Sequence, residues 1–140
     1  MNTTSLIEKP AITISSHDYD KLERIAMAGM RACRGRLIAE YLADELGRAA
    51  VVPPLEVDKT VVTMHSDLTF RDDATNTFRR VTLVYPGEQD IAVGRISILT
   101  PVGTALIGVS EGQSIDWQTT TGEPRRLTVM KVHSQTDSPW

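Results

Sequence analysis

The chain has 140 residues, 41% of them apolar and 24% charged, and carries a formal net charge of −3. That composition supports the core of one ordinary domain, or of one small domain with an appendage. The mild acidity argues against sequence-independent binding to duplex DNA, which needs clustered Lys and Arg to neutralise phosphates.

Residues 1–11 are polar and contain Pro10, which predicts a frayed start leading into a short extended piece at Ile12–Ile14. Ser15 and Ser16 precede a helical pattern, and Asp18 stands three residues after Ser15, the spacing of a capping box. Tyr19, Leu22, Ile25 and Ala26 repeat at helical spacing, and Gly29 ends the pattern. A second helix places Leu37, Ile38, Tyr41, Leu42, Leu46 and Ala49 on one face. Glu40, Asp44 and Arg48 fall on a more polar side, where an Asp44–Arg48 pair adds about 0.3 kcal/mol. Pro53-Pro54 stops this helix. Two amphipathic helices with a short connection make an antiparallel helical hairpin. At about 14 residues each they reach only about 21 Å, so the pair should lean on the C-terminal domain.

The connection, Met30-Arg31-Ala32-Cys33-Arg34-Gly35-Arg36, holds three arginines and no acid. A solvated loop accounts for it. The functional reading is a basic arm tip, Arg31, Arg34 and Arg36, that touches acidic or phosphate groups of a partner. Positive neighbours lower a thiol's pKa, yet Cys33 reads more simply as a bystander.

After a linker at Leu55–Lys59 the strands begin. From Val61 to Phe70 the even positions Val62, Met64, Leu68 and Phe70 are apolar, with Ser66 the exception, so one face is covered and one is wet. Arg71 to Asn76 is a turn, and Phe78–Tyr85 returns with Val81, Leu83 and Tyr85 on one side. Pro86 to Asp90 is a loop leading to a short buried strand at Ile96–Leu99. Thr100 is placed to cap a compact helix, with Pro101 at its first position. Gly103 and Gly108 are each about 1 kcal/mol worse than Ala in a helix, so they imply close backbone approach to the sheet or to a partner. Ser114–Thr119 and Arg126–His133 flank Thr120 to Pro124 as a hairpin, and Gln135 to Trp140 is a polar tail.

No chemistry-bearing constellation emerges. His17, His65 and His133 share no local spacing, and Asp72-Asp73 reads as a turn with solvated carboxylates. There is no Walker loop and no dinucleotide fingerprint. One cysteine makes no internal disulfide, and no Cys/His set has zinc-like spacing. The reading is a non-enzyme without metal or cofactor. No basic segment precedes an apolar run, and no apolar stretch approaches about 18 residues, so no membrane partner is expected and the cytoplasm is the default location.

Thr100-Pro101-Val102-Gly103-Thr104-Ala105-Leu106-Ile107-Gly108 resembles the Ser-Pro-x-Gly-x-Ala-Leu-Leu/Ile-Gly signature in the C-terminal domain of bacterial Gre transcript-cleavage factors. Val81-Thr82-Leu83-Val84-Tyr85-Pro86 is similar to that family's preceding strand, Gly112-Gln113-Ser114-Ile115 to its Gly-Asp-x-Val turn, and the final hairpin to its ending. The likeness spans residues 60–133. The N-terminal portion and Val61-Val62-Thr63-Met64-His65-Ser66 are most similar to the Rnk branch, whose helical arm is shortened.

The resemblance implies an α+β fold: a short antiparallel helical hairpin within residues 1–54, then an FKBP-like domain over 55–140 with a curved antiparallel sheet and one short helix. It also implies docking at the rim of RNA polymerase's secondary channel. Thr100, Pro101, Val102, Gly103, Thr104 and Ala105 would then lie in or beside the polymerase-facing surface, with Leu106 and Ile107 mostly in the core. Cleavage does not carry over. Gre arms hold a catalytic Mg²⁺ with acidic tip residues, because hard cations need carboxylate oxygens, whereas the tip here, Gly29 to Arg36, is basic and its arm short. The expected function is a non-cleaving regulator that competes with Gre factors. Nucleic acid contact is indirect or weak, and oligomeric state stays open with the monomer as default. Three alternatives remain. One is direct action on nucleoside diphosphate kinase, which the Rnk branch invites. Another is peptidyl-prolyl isomerase activity, which fold alone does not imply and which 5% aromatic content ill supports. The third is nucleic acid binding through the basic tip, with steep salt dependence.

Overall fold

A computed structural model describes residues 10–31, 36–119 and 121–133. The chain opens with strand β1 (Thr13–Ser15), helices α1 (Ser16–Arg31) and α2 (Arg36–Arg48), and strand β2 (Ala50–Val52). β1 and β2 pair in parallel, with Ile14 opposite Val51, so the two ends of the hairpin are stitched together at its root. Ser15 sets the start of α1: its Oγ accepts from the Asp18 N–H at 3.0 Å, satisfying one orphan donor of the first turn. Asp18 does not complete the expected box. Its carboxylate accepts from the Met64 N–H and the Tyr85 hydroxyl, both at 3.4 Å, which ties the base of the arm to the body.

Gly29 does not end α1, which runs on to Arg31. It is a point of close approach between the two helices, since a Cβ there would lie 2.7 Å from the Cβ of Ala39. Ala32, Cys33, Arg34 and Gly35 of the connection lie outside the described residues, as do residues 1–9, Thr120 and residues 134–140.

The buried face of α2 is rotated from the predicted one. Ala39, Leu42, Glu45 and Leu46 are buried, while Leu37 is 80% exposed and Ile38 and Tyr41 are half-buried. The expected Asp44–Arg48 pair does not form. Arg48 grips Glu45 instead, Nη2 to Oε1 at 2.8 Å and Nε to both carboxylate oxygens at 3.2 Å, and its Nη1 donates to the Pro10 carbonyl. The physical reason is burial. Glu45 is 1% exposed, and a carboxylate out of water depends on a cation far more than exposed Asp44 does. α2 also stops at Arg48, ahead of Pro53-Pro54, because the next residues form β2. Pro54–Glu56 is a 3-10 turn where a plain linker was expected.

The body comprises β3 (Asp67–Asp72), β4 (Thr77–Val84), β5 (Arg95–Ser97), helix α3 (Pro101–Leu106), β6 (Ser114–Gln118) and β7 (Pro124–His133). They form a sheet in the order β5-β4-β3-β7-β6. Neighbours are antiparallel except β4 and β5, so the short edge strand departs from the expected pattern. The register of β3 against β7 slips between Thr69 and Phe70, an irregularity of the kind that adds twist. β3 starts later than the predicted Val61, since His65 takes a left-handed φ of 66°. The period of two nevertheless holds through the irregular part: Val62, Met64, Ser66, Leu68 and Phe70 are all buried. Ser66 is tolerated because its Oγ accepts from the Thr63 N–H at 2.8 Å.

Most of the buried apolar side chains form one cluster, from Ile14, Leu22 and Leu42 of the hairpin to Leu68, Leu83, Leu106 and Leu127 of the body. The fold class is α+β, a helical hairpin followed by a curled sheet, as the sequence predicts. Replacing Arg48 with Ala leaves the Glu45 carboxylate buried without its guanidinium. The expected loss is about 3 kcal/mol of unfolding free energy, read by chemical denaturation. A loss under about 0.5 kcal/mol would mark the pair as no stronger than a surface one.

Candidate docking surface

β5 ends at Ser97 and the chain turns at once into α3. Thr100 makes that turn: its Oγ1 accepts from the Gly103 N–H at 3.0 Å and donates to the Ser97 carbonyl at 2.7 Å. Pro101 takes the first helical position, where its missing N–H has no partner to lose. Gly103 is dictated by space, because a Cβ there would run into the Ser97 carbonyl oxygen. Thr104 is fully buried and donates its hydroxyl to the Ile98 carbonyl at 2.7 Å. Beyond the helix, Gly108 has φ +78°, a Cβ there would lie 2.8 Å from that of Ile12, and its carbonyl accepts from the Thr13 N–H at 3.1 Å. The helix end is therefore where the body receives β1.

This local geometry divides the six candidate residues. Gly103, Thr104 and Ala105 are buried, together with Leu106 and Ile107, whereas Thr100, Pro101 and Val102 are half-buried and reach the surface. Pro101 also lines a cleft of about 1220 Å³ between α2 and the β6–β7 hairpin. Leu37, Ile38, Tyr41 and Asp44 line it from the arm, and Asp116, Trp117, Pro124 and Arg125 from the hairpin.

The charges around the cleft are largely matched. Arg125 lies 6.0 Å from the centre of the Trp117 ring and donates to Asp72. Arg126 pairs with Asp116 at 2.9 Å, Arg71 with Asp73 at 2.7 Å and Arg36 with Glu40 at 3.1 Å. Asp72 and Asp73 are thus ion-paired at 16% and 23% exposure rather than solvated in a turn. Among the described residues, Trp117 Nε1 and Arg125 Nε are buried without an acceptor. Burial, and then the Glu45 carboxylate, push the Tyr41 phenol up, so it remains neutral.

The other candidates lie apart. Arg31 and Arg36 are exposed at the far end of the arm; Arg34 and Cys33 fall outside the described residues. His17 is exposed in the first turn of α1. His65 pairs with Glu88 at 2.8 Å, and His133 Nε2 lies 3.3 Å from Thr69 Oγ1. Among the described residues no group of three or more His, Cys, Asp or Glu is placed to hold a metal ion, and no helix is long and apolar enough to cross a membrane. Sequence reasoning missed the cleft because its walls come from distant stretches. Trp117 was the available signal, and strand packing explained it equally well.

Comparisons with known proteins agree on one family. The family described as "Transcription elongation factor, GreA/GreB, C-term" matches residues 57–134, and "Rnk N-terminus" matches residues 10–52. The regulator of nucleoside diphosphate kinase from Escherichia coli (strain K12) is 33% identical over 132 residues, 94% of this chain and 96% of that protein. Transcription elongation factor GreA from Syntrophobacter fumaroxidans is 32% identical over 93 residues, 66% of this chain and 59% of its own length. The solved structure of a GreA/GreB elongation factor from Nitrosomonas europaea matches with a TM-score of 0.67 and 40% identity, covering 89% of this chain and 98% of that one.

Two substitutions rank the forces in the turn. Thr100→Ala removes the cap and is expected to cost about 1 kcal/mol. Gly103→Ala is expected to cost more, because a backbone carbonyl must move to admit the methyl group. Thermal unfolding reads the order, and an equal or smaller cost for Gly103→Ala would show that space does not dictate the glycine.

Proposed function

Since this chain belongs to the GreA/GreB transcription elongation factor family, we propose that it binds RNA polymerase at the rim of the secondary channel, does not stimulate transcript cleavage, and competes there with Gre factors. The observation that carries this reading is the charge at the end of the arm. Residues 29–36 include Arg31, Arg34 and Arg36 and no acid, and the described pair, Arg31 and Arg36, is exposed. Guanidinium groups repel a divalent cation that carboxylates would hold. The arm is also short: helices of 16 and 13 residues span about 24 and 20 Å. Docking is retained while cleavage is lost.

Thr100, Pro101 and Val102 are the contact residues in this proposal, with Gly103, Thr104 and Ala105 shaping the turn from inside. The basic tip faces acidic or phosphate groups of the complex, so contact with nucleic acid is indirect. A second reading, direct action on nucleoside diphosphate kinase, draws on the name of the Escherichia coli relative.

The test is displacement of a labelled Gre factor from polymerase core by the purified chain. Displacement is expected, and Val102→Asp, checked for an unchanged melting temperature, is expected to weaken it about tenfold, the equivalent of 1.4 kcal/mol. Absence of displacement by the unaltered chain contradicts the reading. Capture of purified nucleoside diphosphate kinase without polymerase would favour the second.

A further inference from the structure

Away from the signature turn and the cleft, β4 has an edge that is covered only in part. β5 pairs with residues 82–84 alone, so residues 77–81 have a strand neighbour on one side, β3. Backbone groups alternate between the two sides of a strand. The Leu83 N–H donates to the Ser66 carbonyl at 3.1 Å, just ahead of β3, and the Thr82 N–H donates to the Gly94 carbonyl at 2.8 Å, just ahead of β5. Phe78 and Arg80 share the phase of Thr82, so their backbone groups face outward from the uncovered edge. Such a row is a template for one more strand.

The side chains along it narrow the chemistry. Phe78 is 57% exposed at one end of the open stretch. Gly94 stands at the other end, since a Cβ there would lie 3.1 Å from the Arg80 carbonyl oxygen, and the 3-10 turn before it carries Ile91 and Val93 at 72% and 63% exposure. Apolar side chains therefore border the stretch at both ends. The charge between them is positive. Asp67 holds Arg80 through both carboxylate oxygens, at 2.8 and 3.0 Å. Arg79 and Arg95 are exposed, and neither is ion-paired among the described residues. The neighbouring acids are engaged elsewhere: Asp90 accepts from the Ala92 N–H, and Glu88 pairs with His65. A second copy joined by a two-fold axis at the middle of this edge would set Arg79 against Arg79, and like charges directly opposed are destabilising.

We infer that the uncovered edge of β4 takes an extended acidic segment of a partner protein, which bonds the backbone of Phe78 and Arg80 as an added strand, sets a carboxylate beside Arg79 and rests an apolar side chain on Phe78. Main-chain bonds supply the affinity in this mode and alternate side chains the selectivity. Phe78 and Arg79 project from opposite faces of the sheet, so the fitting segment alternates apolar and acidic residues. The inference is independent of the polymerase-binding reading.

The experiment is a titration of the full chain, followed by amide NMR, with two capped peptides, one of repeating Val-Glu and one of repeating Val-Lys. The Val-Glu peptide is expected to bind, to slow hydrogen exchange at the Phe78 and Arg80 amides, and to bind about tenfold more weakly to Arg79→Glu. Arg79 is exposed, so that variant should keep its melting temperature. The Val-Lys peptide should show the reverse preference between the two proteins. No binding of the Val-Glu peptide at millimolar concentration, equal binding of both peptides, or unchanged exchange at the two amides would each overturn the inference and leave the polymerase reading standing. A dimer in sedimentation that Phe78→Ser dissociates would assign the edge to a second copy and overturn it. Displacement of the Val-Glu peptide by a single-stranded oligonucleotide would mark a general polyanion site and overturn it as well.

Discussion

A hairpin of two helices with 16 and 13 residues cannot stand in water on helix propensity alone; it must bury its inner face against something larger. Here that something is the sheet. Leu22, Ala26, Leu42 and Leu46 join the same cluster as Leu68, Leu83 and Leu106, and burying each leucine contributes about 1.5–3 kcal/mol. Polar contacts then fix the direction. Asp18 accepts from Met64 and Tyr85 of the body, and β1 lies against the bare backbone of Gly108. These contacts tie the base of the arm to the body.

The same constraint explains the central signature. Its small residues serve close approach: Gly103 against Ser97, and Gly108 against Ile12 and Thr13. Thr100 and Thr104 satisfy backbone groups that the tight turn would otherwise leave unpaired. A motif that serves the fold in its interior can still leave an edge at the surface, and Thr100, Pro101 and Val102 form that edge. Shape and surface are carried by alternate parts of one short stretch.

Local pattern exposes much of this to a reader of the sequence. The cap at Thr100, the period of two from Val62 to Phe70 and the two helices all arise from near neighbours along the chain. What escapes is decided by distant residues. Arg48 reads as part of a polar side with Asp44, yet it is spent on buried Glu45 and on Pro10, 38 residues away. Leu37 reads as core, but it stands near the arm's outer end while Ala39 takes the contact with Gly29. β2 pairs in parallel with a strand on the far side of two helices, which leaves no periodic trace in three residues. Asp72 meets a guanidinium 53 residues away, so an acid pair that looks solvated is partly enclosed. The signature turn was legible because its geometry is local; the cleft was not, because its walls meet only after folding.

The most direct measurement is transcript cleavage in backtracked elongation complexes, first with this chain alone and then with a Gre factor at rising chain concentration. A basic-tipped arm seated at the channel rim should leave cleavage at its intrinsic rate, and should slow Gre-stimulated cleavage as the chain is titrated in. Acceleration by the chain alone would contradict a non-cleaving role, because it would require a metal-holding carboxylate where the arm carries arginines.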